Sequence, residues 1–298
     1  MNIKAWLKAF RLRTLPLSLS SIGMGTFLAA WKGFFDSSVF AACVLTTVLL
    51  QILSNLANDF GDTQHGADHD EREGPLRSVQ TGEISAQQMK TAIILFVILS
   101  LISGVGLLFI AFEDTKNILI FLGIGITCIL AAIFYTMGKK PYGYMGLGDI
   151  SVLLFFGIVG VGATYYLFAR SFDLFILLPA ISTGLFAVAV LNINNIRDIK
   201  SDTKAGKMSI PVRLGPTNAR LYHWFLLVLA IGLALVFTFI HYEGPLQLAF
   251  LLVTPLVLKN ALGIQRETTS SKLDPYLKQM ALTSLLFMVI FGSGLLMT

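Results

Sequence analysis

Long apolar runs alternate with short polar connections along the whole chain. Runs near the ~20 residues that a membrane-crossing helix needs fall at 15 to 31, 39 to 57, 91 to 112, 117 to 137, 150 to 169, 174 to 192, 221 to 240, 245 to 261 and 278 to 297. Ahead of them, residues 2 to 13 set Trp6 and Phe10 on one helical face and Lys4, Lys8 and Arg11 on another, the pattern of a short helix lying in a membrane interface. Two runs end in polar residues that keep helical spacing. Gln51, Asn55, Asp59 and Asp62 follow one another at intervals of four, four and three, and Asn194, Asp198 and Asp202 at intervals of four. Such intervals return to one face of a helix, so each run is predicted to end with amides and carboxylates stacked on one side.

The recurrence of Asn-x3-Asp after the second and sixth runs, four spans apart, suggests an internal repeat. Four spans restore the original orientation, so two four-helix units related by an axis along the membrane normal would bring both clusters together. The expected architecture is an all-α polytopic membrane protein. Nine transmembrane helices would form two four-helix pseudo-repeats plus a ninth helix around a central cavity, in a single domain spanning 1–298. Residues 1–13 would form the interfacial helix, and 58–90 and 193–220 the Asp-rich loops.

Composition agrees with a membrane protein: 55% of residues are hydrophobic, 13% charged, and the mean hydropathy is +0.75, against about a quarter charged in soluble domains. All but Lys32, Lys116 and Arg170 of the 22 Lys and Arg fall on one side of the predicted topology. By the positive-inside rule that side is cytoplasmic. The expected setting is therefore the inner membrane of a bacterial cell, multi-pass, with the N-terminus and both acidic loops cytoplasmic and the C-terminus opposite. The net charge of +5 reflects topology rather than a basic face for nucleic acid, and no obligate protein partner is indicated. Cys43 and Cys128 lie inside apolar runs without metal-ligand spacing.

Asp59, Asp62, Asp68, Asp198 and Asp202 would repel one another unless a cation lay among them. Hard oxygen donors select Mg²⁺ or Ca²⁺, and Mg²⁺ shares its coordination with substrate phosphates. Two facing clusters thus fit a diphosphate bridged by Mg²⁺. Arg72, Arg77, Lys139, Lys140, Arg197, Lys204, Lys207 and Arg213 share these loops and are candidates for its oxygens. A diphosphate site at the mouth of an apolar bundle implies a substrate with a hydrocarbon tail. Phe134, Tyr135, Tyr142 and Tyr144 flank the loop after the fourth run, and Tyr135 is the candidate to face an allylic cation. A transporter would carry ionisable residues within its spans, whereas here they gather at helix ends.

The same residues carry a family resemblance. Asn55 with Asn58-Asp59-x2-Asp62, then Asp198-x3-Asp202, resembles the UbiA superfamily of intramembrane prenyltransferases. The strings RLRTLP (11 to 16), GPLRSVQTG (74 to 82), YTMGKKPYGYMGLGD (135 to 149) and DTKAGKMSIPVRLG (202 to 215) are similar to its 1,4-dihydroxy-2-naphthoate branch, MenA. Met137, Lys139 and Met145 stand where members of that branch often carry Gly, Pro and Arg. The resemblance implies Mg²⁺ held by Asn55, Asp59, Asp62, Asp198 and Asp202, with Asp68 and Asn194 as further ligand candidates. It implies a polyprenyl diphosphate neutralised by Arg72, Arg77, Lys139, Lys204 and Lys207. The reaction it implies is transfer of the prenyl group to 1,4-dihydroxy-2-naphthoate with loss of carbon dioxide, giving demethylmenaquinol for menaquinone. Acceptors such as 4-hydroxybenzoate are the alternative within the superfamily.

Overall fold

A computed structural model of the chain describes residues 2–66 and 77–298, and among these every regular element is helical. Asp68 and Arg72 lie outside the described residues. The short helix α1 (Ile3–Phe10) ends at Arg11, whose backbone turns left-handed at φ 47°. Then follow α2 (Leu15–Trp31), α3 (Ser37–Gln64), α4 (Ala86–Ala111), α5 (Thr115–Phe134), α6 (Gly148–Ala169) and α7 (Leu177–Arg197). After one short helix, α8 (Ile199–Lys204), the long helices α9 (Ile210–Ile240), α10 (Thr254–Arg266) and α11 (Asp274–Leu296) complete the chain.

Polar residues in the connections start several of these helices. Asp36 caps α3, Asp114 caps α5, and Ser85 with Gln88 forms a reciprocal capping box on α4, satisfying amides that hydrocarbon could not. Eight helices among the described residues are long and apolar enough to cross a membrane, so the chain is a multi-pass membrane protein. The expected count was nine. The difference is α2, which at 17 residues is shorter than ~20 although it packs inside the bundle against α11.

Burial is uneven around the bundle. In α7, 67% of the apolar window is buried within the protein, against 6% in α5. The α7 helix is thus an internal post, packed by α6, α9 and α11, while α5 is an outer wall facing lipid. Between apolar helices in lipid, close backbone approach replaces the hydrophobic effect as the source of contact energy. At the crossing of α6 and α7, a Cβ on Gly184 would stand 2.9 Å from the Cα of Gly157. Residues Leu153–Ala163 of α6 take the wider π winding, which is frequent beside functional sites.

A cavity of about 360 Å³ lies among α2, α3, α4, α5 and α6. From α7, Leu191 reaches it as well. Its wall is largely apolar, and Asn55, Asn58, Tyr135 and Tyr142 mark its polar end.

Both acidic stairs differ from simple helix ends. The α3 helix runs seven residues past the apolar run expected to stop at 57, so Asp59 and Asp62 are helical and not part of a loop. The α7 helix stops at Arg197, with Asp198 as its C-cap, and Asp202 sits on α8. Gly206, at φ 70°, then ends α8, where the Lys207 amide returns to the Asp202 carbonyl at 2.8 Å.

Candidate active site

The first cluster is held by cations from elsewhere in the chain. Asp59 pairs with the Arg11 guanidinium and with Arg77 Nη1 at 3.4 Å. Asp62 accepts from Arg77 Nη2 at 2.5 Å and from the Tyr144 hydroxyl at 2.8 Å. Arg77 also donates to the Asn58 carbonyl at 2.6 Å, which fixes its loop to α3. Asn55 faces the N-terminal segment: its amide donates to the Phe10 carbonyl at 2.9 Å and to Thr14 Oγ1 at 3.0 Å. Its carbonyl oxygen accepts from Gln51 at 3.4 Å. The α1 helix is thereby strapped to the same face of α3 that carries the carboxylates.

The second cluster is held by near neighbours. Arg197 donates through Nε and Nη2 to Asp198 at 2.8 and 2.7 Å, and through Nη2 to Asn194 Oδ1 at 2.8 Å. Its Nη1 reaches Asp274, at the start of α11, at 2.6 Å, where Arg13 also pairs at 3.0 Å. Lys207 Nζ stands 3.3 Å from Asp202 Oδ1. The other oxygen, Asp202 Oδ2, is buried without a hydrogen-bond partner among the described residues.

The two clusters share one electrostatic neighbourhood. Burial pushes the Asp202 carboxyl up to about 6; Lys207 opposes the shift, and Asp198 and Asp62 add to it. Burial alone would lower the Lys207 ammonium, but the charges of Asp202, Asp62 and Asp198 outweigh it and raise it, so it stays protonated. Tyr144 joins the two: its ring lies 5.8 Å from Lys207 Nζ, and its carbonyl accepts the Met208 amide at 2.9 Å. Arg213 closes the same seam through the Met145 carbonyl at 2.7 Å. Burial and then Asp62 push the Tyr144 phenol well above its usual range.

Tyr135 lines the cavity, its ring edge-on to Tyr142 at a centroid distance of 5.4 Å. Burial, then Asp149 and Asp62, raise its phenol too, so it presents a neutral ring. The other candidates are more dispersed. Lys139 and Lys140 are exposed and form no ion pair with a described residue, and Lys204 is exposed on α8. The donors of Arg197 go to Asp198, Asp274 and Asn194, which makes it a clamp on the second motif.

Among the described residues no three Asp, Glu, His or Cys side chains stand close enough to enclose a metal in this arrangement. The carboxylates are drawn instead to arginine and lysine. The donor chemistry still fits a hard divalent cation, because the buried Asp202 Oδ2 is unsatisfied and Asp62 and Asp198, from two helix ends, share its electrostatic neighbourhood. Arg11, Tyr144 and Asp274 were not candidates on sequence. The first two lie in strings singled out above, but Asp274 carries no local signal.

Comparison with known proteins extends this picture. The model of the UbiA prenyltransferase family matches residues 18–289. The chain is 49% identical to a 1,4-dihydroxy-2-naphthoate octaprenyltransferase of Haemophilus influenzae, covering 99% of this chain and 96% of the relative. It is 44% identical to the protein of the same description in Escherichia coli, over 99% and 96%. Among solved structures, a UbiA homologue from Archaeoglobus fulgidus bound to DMAPP and Mg²⁺ has the same fold, with a TM-score of 0.64, 18% identity and coverage of 98% and 99%.

Proposed function

The chain belongs to the UbiA prenyltransferase family, and from that premise we propose that it transfers a polyprenyl group from a polyprenyl diphosphate to 1,4-dihydroxy-2-naphthoate. Carbon dioxide is lost, and the product is demethylmenaquinol for menaquinone biosynthesis. One observation carries this reading: two aspartate clusters share a buried electrostatic neighbourhood, and the first continues α3 directly past Asn55 and Asn58, which line the polar end of an apolar cavity. The naphthoate acceptor is supported by the relatives at 44% and 49% identity.

In this reading Asp59, Asp62, Asp198 and Asp202 hold Mg²⁺, with Asn55, Asn194 and Asp68 as further donors. The metal, when bound, supplies a positive charge against which the diphosphate oxygens are neutralised. Arg77 and Lys207, both buried beside the carboxylates, move onto the diphosphate, as do Arg72, Lys139, Lys140 and Lys204 from the loops. The allylic C–O bond breaks with its electron pair leaving on the diphosphate. The cation then lies in the cavity, where the Tyr135 ring faces it. The naphthoate ring donates a pair to form the C–C bond, and loss of carbon dioxide restores its aromaticity. Positioning and electrostatics supply the acceleration, with no covalent enzyme intermediate. The active face is cytoplasmic in a bacterial inner membrane, by the distribution of Lys and Arg.

The test is product formation by the whole protein in nanodiscs. A farnesyl or geranylgeranyl diphosphate donor is offered with naphthoate or with 4-hydroxybenzoate, with Mg²⁺ or with EDTA. The expected result is a lipid-soluble product from naphthoate alone, abolished by EDTA. Product only from the benzoate would overturn the acceptor, and product in EDTA would overturn the metal.

A further inference from the structure

A second groove lies away from the aspartates, between α10 and the start of α11, with a volume of about 600 Å³. One face of α10 lines it through Leu258, Lys259, Leu262 and Arg266, and α11 contributes Tyr276. Positive-inside topology accounts for Arg266, at the helix end. It places Lys259 on the same side, seven residues earlier and so about 10 Å deeper along the axis at 1.5 Å per residue. Lys259 is exposed on a membrane-spanning helix, and neither it nor Arg266 forms an ion pair with a described residue. A lipid-facing charge at that depth is costly unless its ammonium rises toward the interface and meets an anion.

The surroundings favour negative charge further. Arg220 is held at the same end of α10 by carbonyls alone, those of Ile264 at 2.9 Å, Pro216 at 2.9 Å and Glu267 at 2.8 Å, so its charge is not cancelled there. The carboxylate in the lining, Glu267, is turned to the Thr269 amide at 2.8 Å. Beside the cations, Leu258 and Leu262 offer apolar surface that is 45% and 41% exposed, which suits acyl chains and not a free ion.

We infer that this groove binds the head group of an anionic phospholipid, with its phosphate between Lys259 and Arg266 and its chains along Leu258 and Leu262. The site is independent of the prenyl-transfer reading, since none of its lining residues lines the cavity or is among the four aspartates.

The test uses the whole protein, purified and delipidated in detergent, with phosphatidylglycerol, phosphatidylcholine or inorganic phosphate added. Native mass spectrometry counts bound lipid, and a melting curve follows stabilisation by ligand. Phosphatidylglycerol alone is expected to give discrete adducts and raise the melting temperature. The double variant Lys259→Gln/Arg266→Gln should bind it about tenfold or more weakly, the scale of a lost charged hydrogen bond, and should melt like the parent without added lipid. Lys259→Arg should retain binding. Equal adducts in the double variant, or equal stabilisation by phosphatidylcholine or by phosphate, would overturn the proposal.

Discussion

The two aspartate clusters share the Asn-x3-Asp spacing yet are stabilised in opposite ways. Asp59 and Asp62 lie on an unbroken 28-residue helix, and their partners Arg11, Arg77 and Tyr144 come from three other segments. Asp198 and Asp202 straddle a helix break, and the cations that hold them, Arg197 and Lys207, are at most five residues away. The first cluster depends on the fold to bring its counter-charges. The second brings its own and lends Arg197 to the fold, through Asp274 on the last helix. The same acidic pattern is thus an endpoint of tertiary structure in one half and a local unit in the other.

The sharpest way to break this contrast is Arg197→Ala. Removing a buried guanidinium leaves Asp198 and Asp274 without their shared partner, and breaking such a pair typically costs roughly 3–5 kcal/mol. The expected result is a large fall in melting temperature or loss of folded protein, measured by size exclusion and thermal denaturation, whereas Arg11→Ala should leave the fold intact. Equal destabilisation by the two would erase the distinction.

Next come the carboxylates. Asp59→Asn or Asp198→Asn should lower turnover on the order of a hundredfold to a thousandfold, the range for removing one preorganised electrostatic contact, with the folded state retained. Near-wild-type turnover in either would sink the metal assignment.

Arg77→Gln should act on the donor more than on the fold. Loss of a charge-assisted contact of about 1.5–3 kcal/mol should raise the KM for the diphosphate about tenfold to a hundredfold. An unchanged KM would show that Arg77 serves only to hold Asp59 and Asp62. The smallest effect is expected of Tyr144→Phe, which removes the 2.8 Å hydrogen bond to Asp62 but keeps the ring beside Lys207. About 1 kcal/mol, or roughly fivefold in turnover, should be lost. A much larger loss would assign the phenol a direct role.

Much of this was legible from the sequence. Apolar length marked the spans because a helix must bury its own hydrogen bonds in lipid. The count of nine rests on α2, whose 17 residues sit at the margin of that rule. The two aspartate motifs were visible because helical spacing is a local property, and Tyr135, which lines the cavity, stood out because aromatic residues cluster at its loop. Arg197 was placed with the diphosphate ligands on the strength of its neighbours. The structure spends its donors on Asp198, Asn194 and Asp274, and nothing near residue 197 announces a partner 77 residues away.

By itself, then, the sequence determined the class of molecule, the membrane spans and the two acidic motifs, since hydropathy and helical periodicity act over a few turns of one segment. Tertiary structure alone decided that Arg11 meets Asp59 while Arg77 reaches both Asp59 and Asp62, that Tyr144 joins the two clusters, and that the cavity is walled by α2 to α6. The physical reason is that Coulomb attraction and packing depend on distance through space. That distance is set by how helices far apart in the chain cross and where their connecting loops return.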